Sequence, residues 1–382
     1  MDRKRLMKLP EVIRLSKSCI GKSEKQSVLN VLDNEYLGMG SEVDLFEQKL
    51  SNFFKRDSVC VVNGTAALHL SIQACNITHG DEVLVPSLTY ISSFQAISAT
   101  GAKPVPCDIS ETDFLIDINE IKRKITNKTK AIMLVHYSGG VGDLSSYYSI
   151  AKKYNLRVIE DAAHAFGSIY KGNKVGSFGD IACFSFDGIK NITSGEGGCI
   201  VTDDKKVLNR IRDLRLLGVE KDSDKRYQGK RSWDFDVKYQ GWRYHMSNIM
   251  AAIGLVQLEK FNFFAKKRKE LAQYYDKKFL NIEKISSISR DYNSVVPHIY
   301  VVRIKGLRDR KKIQKEMLKK GIQTGYHYYP NHFLSFYKSK KINLPITEKV
   351  YKELVTLPLH PDLEKVHIDY ICKELINTLE KF

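Results

Sequence analysis

Three short segments of this 382-residue chain carry side chains whose types and spacing suit chemistry. The first is Asn63-Gly64-Thr65-Ala66, which lies where a strand-like run gives way to a helix-like one. Glycine allows close approach of the backbone, the N–H groups at a helix start are free, and Thr65 adds a hydroxyl, so the segment suits a phosphate group. An ordinary strand-to-helix turn capped by Thr65 would use the same residues.

The second segment, Glu160-Asp161-Ala162-Ala163-His164, directly follows a strand-like run. Two acidic residues at the end of a buried parallel strand cost free energy unless a cationic group meets them. A metal ion, a helix cap or a salt bridge to a protonated ring nitrogen would each satisfy them, and this segment alone leaves the three open.

The third segment, FSFDGIKNITSGEGG at 184–198, places Ser185 on a strand and Lys190 in a loop that ends in a glycine-rich turn. Enclosure in such a loop removes water from the amine, which lowers its pKa and makes it a nucleophile. A surface lysine beside a glycine turn is the simpler alternative. In chain order the segments supply a phosphate cradle, an aspartate, a serine and a lysine, which are the parts that a pyridoxal phosphate site requires.

Strand-like and helix-like stretches alternate from about residue 57 to 202. The strand-like runs lie at 57–62, 82–86, 103–108, 129–135 and 156–161, and the helix-like ones at 65–76, 89–100, 117–125 and 145–154. This alternation predicts an α/β fold with a mostly parallel central sheet covered by helices. Ligands of such sheets bind beyond the carboxyl ends of the strands, and the three segments described above lie there.

The pattern changes after residue 180. Two short apolar runs at 181–186 and 197–202 leave no room for a crossover helix between them. Helices are expected near 204–216 and from Ser247 onward, with Ser247 as the cap and a flexible charged loop at 219–234 between them. We therefore expect a large cofactor-binding domain, residues 1–245, and a smaller C-terminal α+β domain, residues 246–382.

Composition excludes several classes of protein. With 43% hydrophobic and 27% charged residues the chain is not globally disordered. No apolar run approaches the roughly 18 residues of a membrane helix, and the basic N-terminal stretch lacks the features of a secretory signal. The seven scattered cysteines contain no C-x-x-C, so we expect reduced thiols, no metal site and a cytoplasmic location.

The net charge of +17 raises the question of a polyanionic partner. The lysines are spread over many helix faces, which is typical of a solvated basic surface. No helix-turn-helix, zinc-finger or RNA-binding sheet motif is present, so we expect no nucleic-acid partner.

These segments, together with landmarks spread over residues 14–360, resemble the DegT/StrS family of nucleotide-sugar aminotransferases. The landmarks are YLGMGSEVDLFEQKL, NGTAAL, GDEVLVPSLTY, HYSGGVGDL, IEDAAHAFGS, FSFDGIKNITSGEGG, YHMSNIMAAIGLVQLEK, HYYPNH and LPLHPDL. The resemblance implies the aspartate aminotransferase-like fold (fold type I) and the cofactor pyridoxal 5′-phosphate.

By position, the resemblance implies that Lys190 holds the cofactor covalently and carries the proton during the reaction. It implies that Asp161 keeps the pyridine nitrogen of the cofactor protonated. The residues that it assigns to the cofactor's phosphate are Gly64, Thr65, Ala66 and Ser185.

Four ring-bearing residues match further positions of the family. Tyr90 matches the residue that stacks on the cofactor ring, and His164 the residue near the phenolic oxygen of the cofactor. His327 and Tyr328 lie in GYHYYPNH, a segment that covers the substrate sugar in the family. Each has a purely structural alternative: Tyr90 as a packed core aromatic, His164 as a histidine whose hydrogen bonds are satisfied within the fold, and the segment with His327 and Tyr328 as a packed loop.

Two positions depart from the family pattern. Arg243 stands where the family commonly has an asparagine that reaches the phosphate in the neighbouring subunit's site, and a guanidinium can make that contact. The resemblance therefore implies a homodimer with shared active sites. Asp187 follows FSF where histidine or tyrosine is frequent.

The implied reaction is a two-stage transamination. L-Glutamate supplies the amino group, and a nucleotide-linked keto-deoxy sugar receives it for a surface polysaccharide such as O-antigen. The loop KNITSGEGG resembles that of carbon-4 enzymes, which favours a 4-keto-6-deoxy hexose over a carbon-3 substrate. Lys190 argues against the dehydratase branch, in which histidine replaces the lysine, and a non-catalytic regulatory relative is the remaining alternative.

Overall fold

The computed structural model describes residues 11–381, and a seven-stranded sheet forms its centre. The strand order is β1-β9-β8-β5-β4-β2-β3. Strands β2, β3, β4, β5 and β8 pair in parallel, and β9 is antiparallel to both of its neighbours, β8 and β1. This arrangement confirms the mostly parallel α/β sheet that the alternating pattern predicts.

The elements follow the predicted order closely. The strands are β1 (Ser58–Val61), β2 (Glu82–Pro86), β3 (Lys103–Cys107), β4 (Thr129–Val135), β5 (Arg157–Asp161), β6 (Ile169–Tyr170), β7 (Asn173–Lys174), β8 (Ile181–Ser185), β9 (Gly198–Thr202), β10 (Ile285–Ser287), β11 (Tyr300–Ile304) and β12 (Leu354–Leu357). The helices are α1 (Lys22–Asp33), α2 (Ser41–Phe54), α3 (Gly64–Ala74), α4 (Ile91–Ala99), α5 (Ile118–Lys124), α6 (Leu144–Lys153), α7 (Lys205–Leu214), α8 (Asp222–Tyr227), α9 (Asn248–Glu259), α10 (Phe261–Phe279), α11 (Arg310–Lys319), α12 (Pro345–Glu353) and α13 (Lys365–Leu379).

Both faces of the large sheet are covered. Val59 and Val61 of β1 pack in one apolar cluster with α3, whereas Cys60 between them packs in a second cluster with α2. Successive side chains of a strand point to opposite faces, so a strand buried on both sides is apolar throughout. The continuous apolar runs in the sequence reflect this double burial.

Strands β8 and β9 form a hairpin inside the sheet. Ser185 pairs with Gly198, so the loop between them leaves and re-enters at one edge. A Cβ atom at Gly198 would lie 2.6 Å from the carbonyl oxygen of Asn63 and 2.8 Å from that of Phe184. Only glycine fits there, and its absent side chain lets the loop with Lys190 approach the turn after β1.

A second, smaller sheet lies in the C-terminal part of the chain. It consists of β10, β11 and β12, all antiparallel, and packs with α10, α11 and α13 around its own apolar cluster. Ser247 caps α9 as expected, because its hydroxyl accepts a hydrogen bond from the N–H of Met250 at 3.3 Å. Helix α9 packs on α1 and α2. The division into domains at residues 1–245 and 246–382 stays a proposal.

The charged segment at 219–234 contains a helix, α8, where the sequence predicts only a loop. A buried network holds it. The Arg215 guanidinium is fully buried beside the Glu47 carboxylate and donates to the Tyr227 hydroxyl at 2.6 Å, and that hydroxyl donates to Glu47 at 2.6 Å. These contacts fix the end of α8 against α2.

No helix within residues 11–381 combines the length and the apolar character that a bilayer crossing requires. The expectation about a secretory signal depends partly on the basic N-terminal stretch. Most of that stretch, residues 1–10, lies outside the described residues.

Candidate active site

A cavity of about 440 Å³ lies beyond the carboxyl ends of β1, β4, β5 and β8. It brings together most of the residues that the sequence singles out. The predicted site residues that line it are Gly64, Thr65, Tyr90, Asp161, His164, Ser185, Lys190, His327 and Tyr328. Segments that are far apart in the sequence thus meet at the edge of the sheet where ligands of such folds bind.

Lys190 projects into this cavity from the β8–β9 loop. Its amine makes no hydrogen bond or ion pair with any residue of the described chain, which leaves the nitrogen lone pair available. Burial lowers the pKa of the amine from 10.5 to about 8, while the negative charges of Asp161 and Asp187 act in the opposite direction. A substantial fraction of the amine is therefore neutral near pH 8 and can attack a carbonyl carbon.

Asp187, the unusual residue after FSF, shapes the turn that carries Lys190. Its carboxylate accepts a hydrogen bond from the N–H of Ile189 at 3.2 Å. Its carbonyl oxygen accepts one from the N–H of Lys190 at 3.0 Å. An aspartate is suited to such a turn because its short side chain bonds the backbone two residues further on. This gives the departure from the family pattern a structural role.

Asp161 ends β5 with its carboxylate in the cavity. Only 7% of the residue is exposed, and the carboxylate accepts hydrogen bonds from the hydroxyl of Ser93 at 2.7 Å and the N–H of Ala163 at 3.3 Å. Burial raises the pKa of this carboxyl, with those hydrogen bonds opposing the shift. A buried carboxylate without a full positive partner suits a protonated ring nitrogen.

Glu160, the other acid of the strand end, faces away from the cavity. Its two carboxylate oxygens bond the imidazole of His136 at 2.7 Å and the hydroxyl of Tyr148 at 2.6 Å. Consecutive residues of a strand point to opposite faces, so the two acids have separate surroundings. Glu160 is satisfied within the fold, and only Asp161 is available to a ligand.

The turn after β1 forms a cradle at the start of α3. Asn63, and not Thr65, caps the helix, because its side-chain oxygen accepts the N–H of Ala66 at 2.8 Å. This corrects the alternative in which Thr65 is the cap, and it leaves the Thr65 hydroxyl to bond Ser92 at 2.7 Å. The free N–H groups of the first helical turn, with the hydroxyls of Thr65 and Ser185, form a donor set that fits a phosphate.

Two predicted cofactor ligands lie outside the lining of the cavity. Ala66 is buried, and its N–H already donates to the side-chain oxygen of Asn63. Ala66 could therefore support a phosphate site only through its position in the turn and not as a hydrogen-bond donor. Arg243 is exposed on the chain that follows the basic segment, where its backbone bridges to Leu216. Its cofactor role stays a prediction that requires a second copy of the chain.

The aromatic side of the cavity comes from several elements. Tyr90 is 58% exposed, and its ring centroid lies 5.8 Å from that of Tyr328. The hydroxyl of Tyr328 lies 2.8 Å from Nε2 of His164. Nδ1 of His327 lies 2.8 Å from the hydroxyl of Thr356, and burial lowers the pKa of this imidazole to about 4. The imidazole of His327 is therefore neutral near pH 7.

Two groups at this site were not expected from the sequence patterns. His298 borders the cavity with its ring 4.5 Å from that of His164, and its Nδ1 is buried without a hydrogen-bond partner. It lies two residues before β11, at the start of the apolar segment HIYVVRI (298–304), and that position is the only signal in the sequence. Glu196 in the glycine-rich turn also reaches the cavity. The second histidine of GYHYYPNH, His332, does not line the cavity and contacts Ser87 and Glu348 instead.

We expect Gly64→Ala to weaken binding of pyridoxal phosphate by about tenfold or more. A Cβ atom at Gly64 would lie 2.8 Å from Cβ of Ser185, so the serine must move out of the cradle. The dissociation constant can be measured by titrating the apoenzyme with cofactor and following absorbance. Gly38→Ala is the matched control because nothing lies within 4 Å of a Cβ there, and equal affinities of the two variants would contradict the cradle.

The rate at which the apoenzyme captures pyridoxal phosphate should rise with pH through a midpoint near 8, the pKa of Lys190. The reason is that only the neutral amine forms a bond to carbon, and its fraction grows as the pH rises through the pKa. In Asp161→Asn the midpoint should move to lower pH, because a negative charge that raises the lysine pKa is gone. A midpoint near 10.5 in the wild type would show that the amine is not desolvated.

The comparisons with known proteins agree with this geometry. Residues 18–376 match the DegT/DnrJ/EryC1/StrS aminotransferase family. A GDP-perosamine synthase of Escherichia coli O157:H7 is 38% identical over 356 residues, which cover 92% of this chain and 94% of that protein.

Solved structures show the same fold. The PMP form of a putative sugar aminotransferase, Spr1654 from Streptococcus pneumoniae, superposes with a TM-score of 0.89 at 30% identity, covering 97% of this chain and 98% of that one. PseC from Helicobacter pylori, an aminotransferase of pseudoaminic acid biosynthesis, gives a TM-score of 0.89 at 28% identity over 97% and 100% of the two chains. The chain therefore belongs to the DegT/DnrJ/EryC1/StrS aminotransferase family and is a sugar aminotransferase that depends on pyridoxal phosphate.

Proposed function

We propose that this enzyme transfers the amino group of L-glutamate to a nucleotide-linked keto-deoxy sugar, at carbon 4 of a 4-keto-6-deoxy hexose. The observation that carries the proposal is the desolvated amine of Lys190 in one cavity with Asp161 and the phosphate cradle. When bound, pyridoxal phosphate would supply an aldehyde that takes up an amino group and a ring that accepts electrons.

Lys190 has two tasks in this mechanism. Its neutral amine would hold the cofactor covalently, and the same amine, once free, would take a proton from the substrate carbon and return one. A pKa of about 8 suits both directions, because a group near the working pH gives and takes protons with similar ease.

The remaining residues orient the ligands. Asp161 offers a buried negative charge for a ring nitrogen, and Ser93 fixes the carboxylate through its hydrogen bond of 2.7 Å. The cradle of Gly64, Thr65 and Ser185 anchors the phosphate. Tyr90 and Tyr328 provide ring surfaces that keep water from the reacting carbon. Each of these roles is part of the proposal.

The choice of carbon 4 is supported by two observations. The loop that begins at Lys190 reads KNITSGEGG, which resembles the pattern of carbon-4 enzymes, and a relative that is 38% identical is named a GDP-perosamine synthase. A carbon-3 sugar aminotransferase is the second candidate. A non-catalytic regulatory relative is disfavoured because every part of the lysine site is present.

We further propose that the product enters a surface polysaccharide such as an O-antigen. A relative from Bacillus subtilis, 34% identical over 368 residues, is a spore coat polysaccharide biosynthesis protein. All seven cysteines are free thiols, which supports a reducing, cytoplasmic location.

The charge of the cavity supports a homodimer with shared sites. Lys190 is the only lysine or arginine among the described residues that line it, yet the proposed ligands carry phosphates and carboxylates. Arg243 lies outside its own cavity and is exposed. We propose that Arg243 of the partner subunit completes the phosphate site, in a two-fold pair.

Lys190→Ala should abolish transamination and the yellow absorption of the lysine-bound cofactor, whereas Lys206→Ala, on the exposed side of α7, should change neither. The assay supplies L-glutamate with a panel of GDP- and dTDP-linked 3-keto and 4-keto sugars, and NMR of the product locates the nitrogen. Turnover by Lys190→Ala at the wild-type rate would refute the assignment of the nucleophile. Nitrogen at carbon 3 would select the second candidate, and no transfer to any member of the panel would refute a GDP- or dTDP-linked keto sugar as the acceptor.

A complementation experiment tests the shared site. Lys190→Ala and Arg243→Glu chains should each be inactive alone but, unfolded together and refolded, should regain about one quarter of wild-type activity, because half of the dimers then contain one intact site of two. Sedimentation confirms that the refolded species are dimers. The absence of recovery in mixed dimers would place Arg243 at its own subunit's site, and activity of Arg243→Glu alone would place it at neither site.

A further inference from the structure

His164 and Tyr328 form a hydrogen-bonded pair whose direction the backbone determines. Nε2 of His164 lies 2.8 Å from the hydroxyl oxygen of Tyr328. The other ring nitrogen, Nδ1, accepts a hydrogen bond from the backbone N–H of Ser138 at 3.3 Å. A backbone N–H can only donate, so Nδ1 must carry no proton.

The protonation state of the imidazole follows from its surroundings. Burial lowers the pKa of His164 well below 6.5, and the positive charges of Lys190 and Arg290 lower the pKa further. His298, whose ring packs at 4.5 Å, is likewise neutral because burial lowers its pKa. A neutral His164 with an unprotonated Nδ1 carries its proton on Nε2.

The hydrogen bond therefore runs from His164 to Tyr328, and the tyrosine oxygen is the acceptor. The proton of the Tyr328 hydroxyl then has no acceptor among the described residues. Burial raises the pKa of this phenol well above 10, so the proton stays in place. Tyr328 is partly exposed, and it borders the cavity. The unused donor is thus available to a ligand.

We propose that the hydroxyl of Tyr328, oriented by His164, donates a hydrogen bond to the oxygen on the substrate carbon that gains or loses nitrogen. This inference rests on the proposed function, since it takes a ketone as the ligand. It gives Tyr328 a catalytic role beyond covering a substrate, and it makes His164 a positioning residue.

The chemistry of amine addition to a ketone explains the use of such a donor. As the nitrogen lone pair forms the C–N bond, the π electrons of the C=O bond move onto oxygen, which becomes negatively charged. The oxygen later leaves as water with the two protons that the nitrogen gives up. A phenol whose own oxygen accepts an N–H is a strengthened donor, and it stabilises the charge that develops.

The first test reads the tautomer directly. In the holoenzyme labelled with ¹⁵N-histidine, two-bond ¹⁵N–¹H spectra should show His164 with an unprotonated Nδ1 and a protonated Nε2, and the signals are assigned by their loss in His164→Phe. Protonation of Nδ1, alone or in an imidazolium, overturns the inference, because Tyr328 would then have to donate to His164 or lose its orientation.

The second test compares pairs of ligands that differ only in the oxygen. We expect Tyr328→Phe in the lysine-bound holoenzyme to lose about 10- to 100-fold affinity for a nucleotide-linked 4-keto sugar and for 2-oxoglutarate. Binding of the 4-deoxy sugar and of glutarate should change less than threefold. Tyr329→Phe is the matched control, since this neighbouring hydroxyl lies outside the cavity lining.

The outcomes separate the inference from the proposed function. Equal losses for both members of each pair would show a merely structural tyrosine and overturn the inference. In another outcome, Tyr328→Phe leaves the ratio of affinities for the keto ligand and its deoxy counterpart unchanged but shifts the absorption of the bound cofactor. That result would place the Tyr328 hydroxyl on the cofactor's phenolic oxygen and would also overturn the inference. If the wild type binds no nucleotide sugar, the sugar substrate fails, while the 2-oxoglutarate pair and the histidine spectra still decide the role of Tyr328.

Discussion

A lysine amine held out of water beside two carboxylates is the interaction on which the rest of the site depends. Burial favours the neutral amine of Lys190, and Asp161 and Asp187 favour the charged one. With less burial the amine would stay an ammonium at neutral pH and could not bond to carbon. With full burial and no acid nearby, it could not regain the proton that transamination requires it to carry. The balance between the two effects places its pKa in the working range.

The large sheet brings together the residues that set the pKa of Lys190. Parallel strands present their carboxyl ends at one edge, so Asp161 on β5, Ser185 on β8 and the turn at Gly64 converge although they are far apart in the chain. The hairpin of β8 and β9 then returns Lys190 to the same edge. Asp187 fixes the start of that loop with its own hydrogen bonds to the backbone. The C-terminal part of the chain closes the remaining side with His298 and Tyr328.

Sequence patterns were sufficient wherever local chemistry decides the outcome. The apolar runs predicted the strands within a few residues, and most of the polar residues singled out near the ends of those runs line the cavity. Tertiary contacts decided the rest. Asn63 caps α3 instead of Thr65 because the chain enters the helix two residues earlier than the pattern suggested. Helix α8 forms in a charged segment because Arg215, Glu47 and Tyr227 meet in the interior. His298 could not be recognised, since nothing in a strand-like run shows which histidine it will pack against.

The position of β9 also governs the order in which the molecule can assemble. Strand β1 pairs only with β9 within the large sheet, and Ser58 meets Val201 there. The turn at Gly64 therefore has no complete support until most of the large sheet has been synthesised. Contacts so distant in sequence form slowly, because the intervening chain must first lose its conformational freedom. A nascent chain that ends before β9 would leave that edge of β1 unpaired, and an unpaired strand edge can pair with other chains and aggregate.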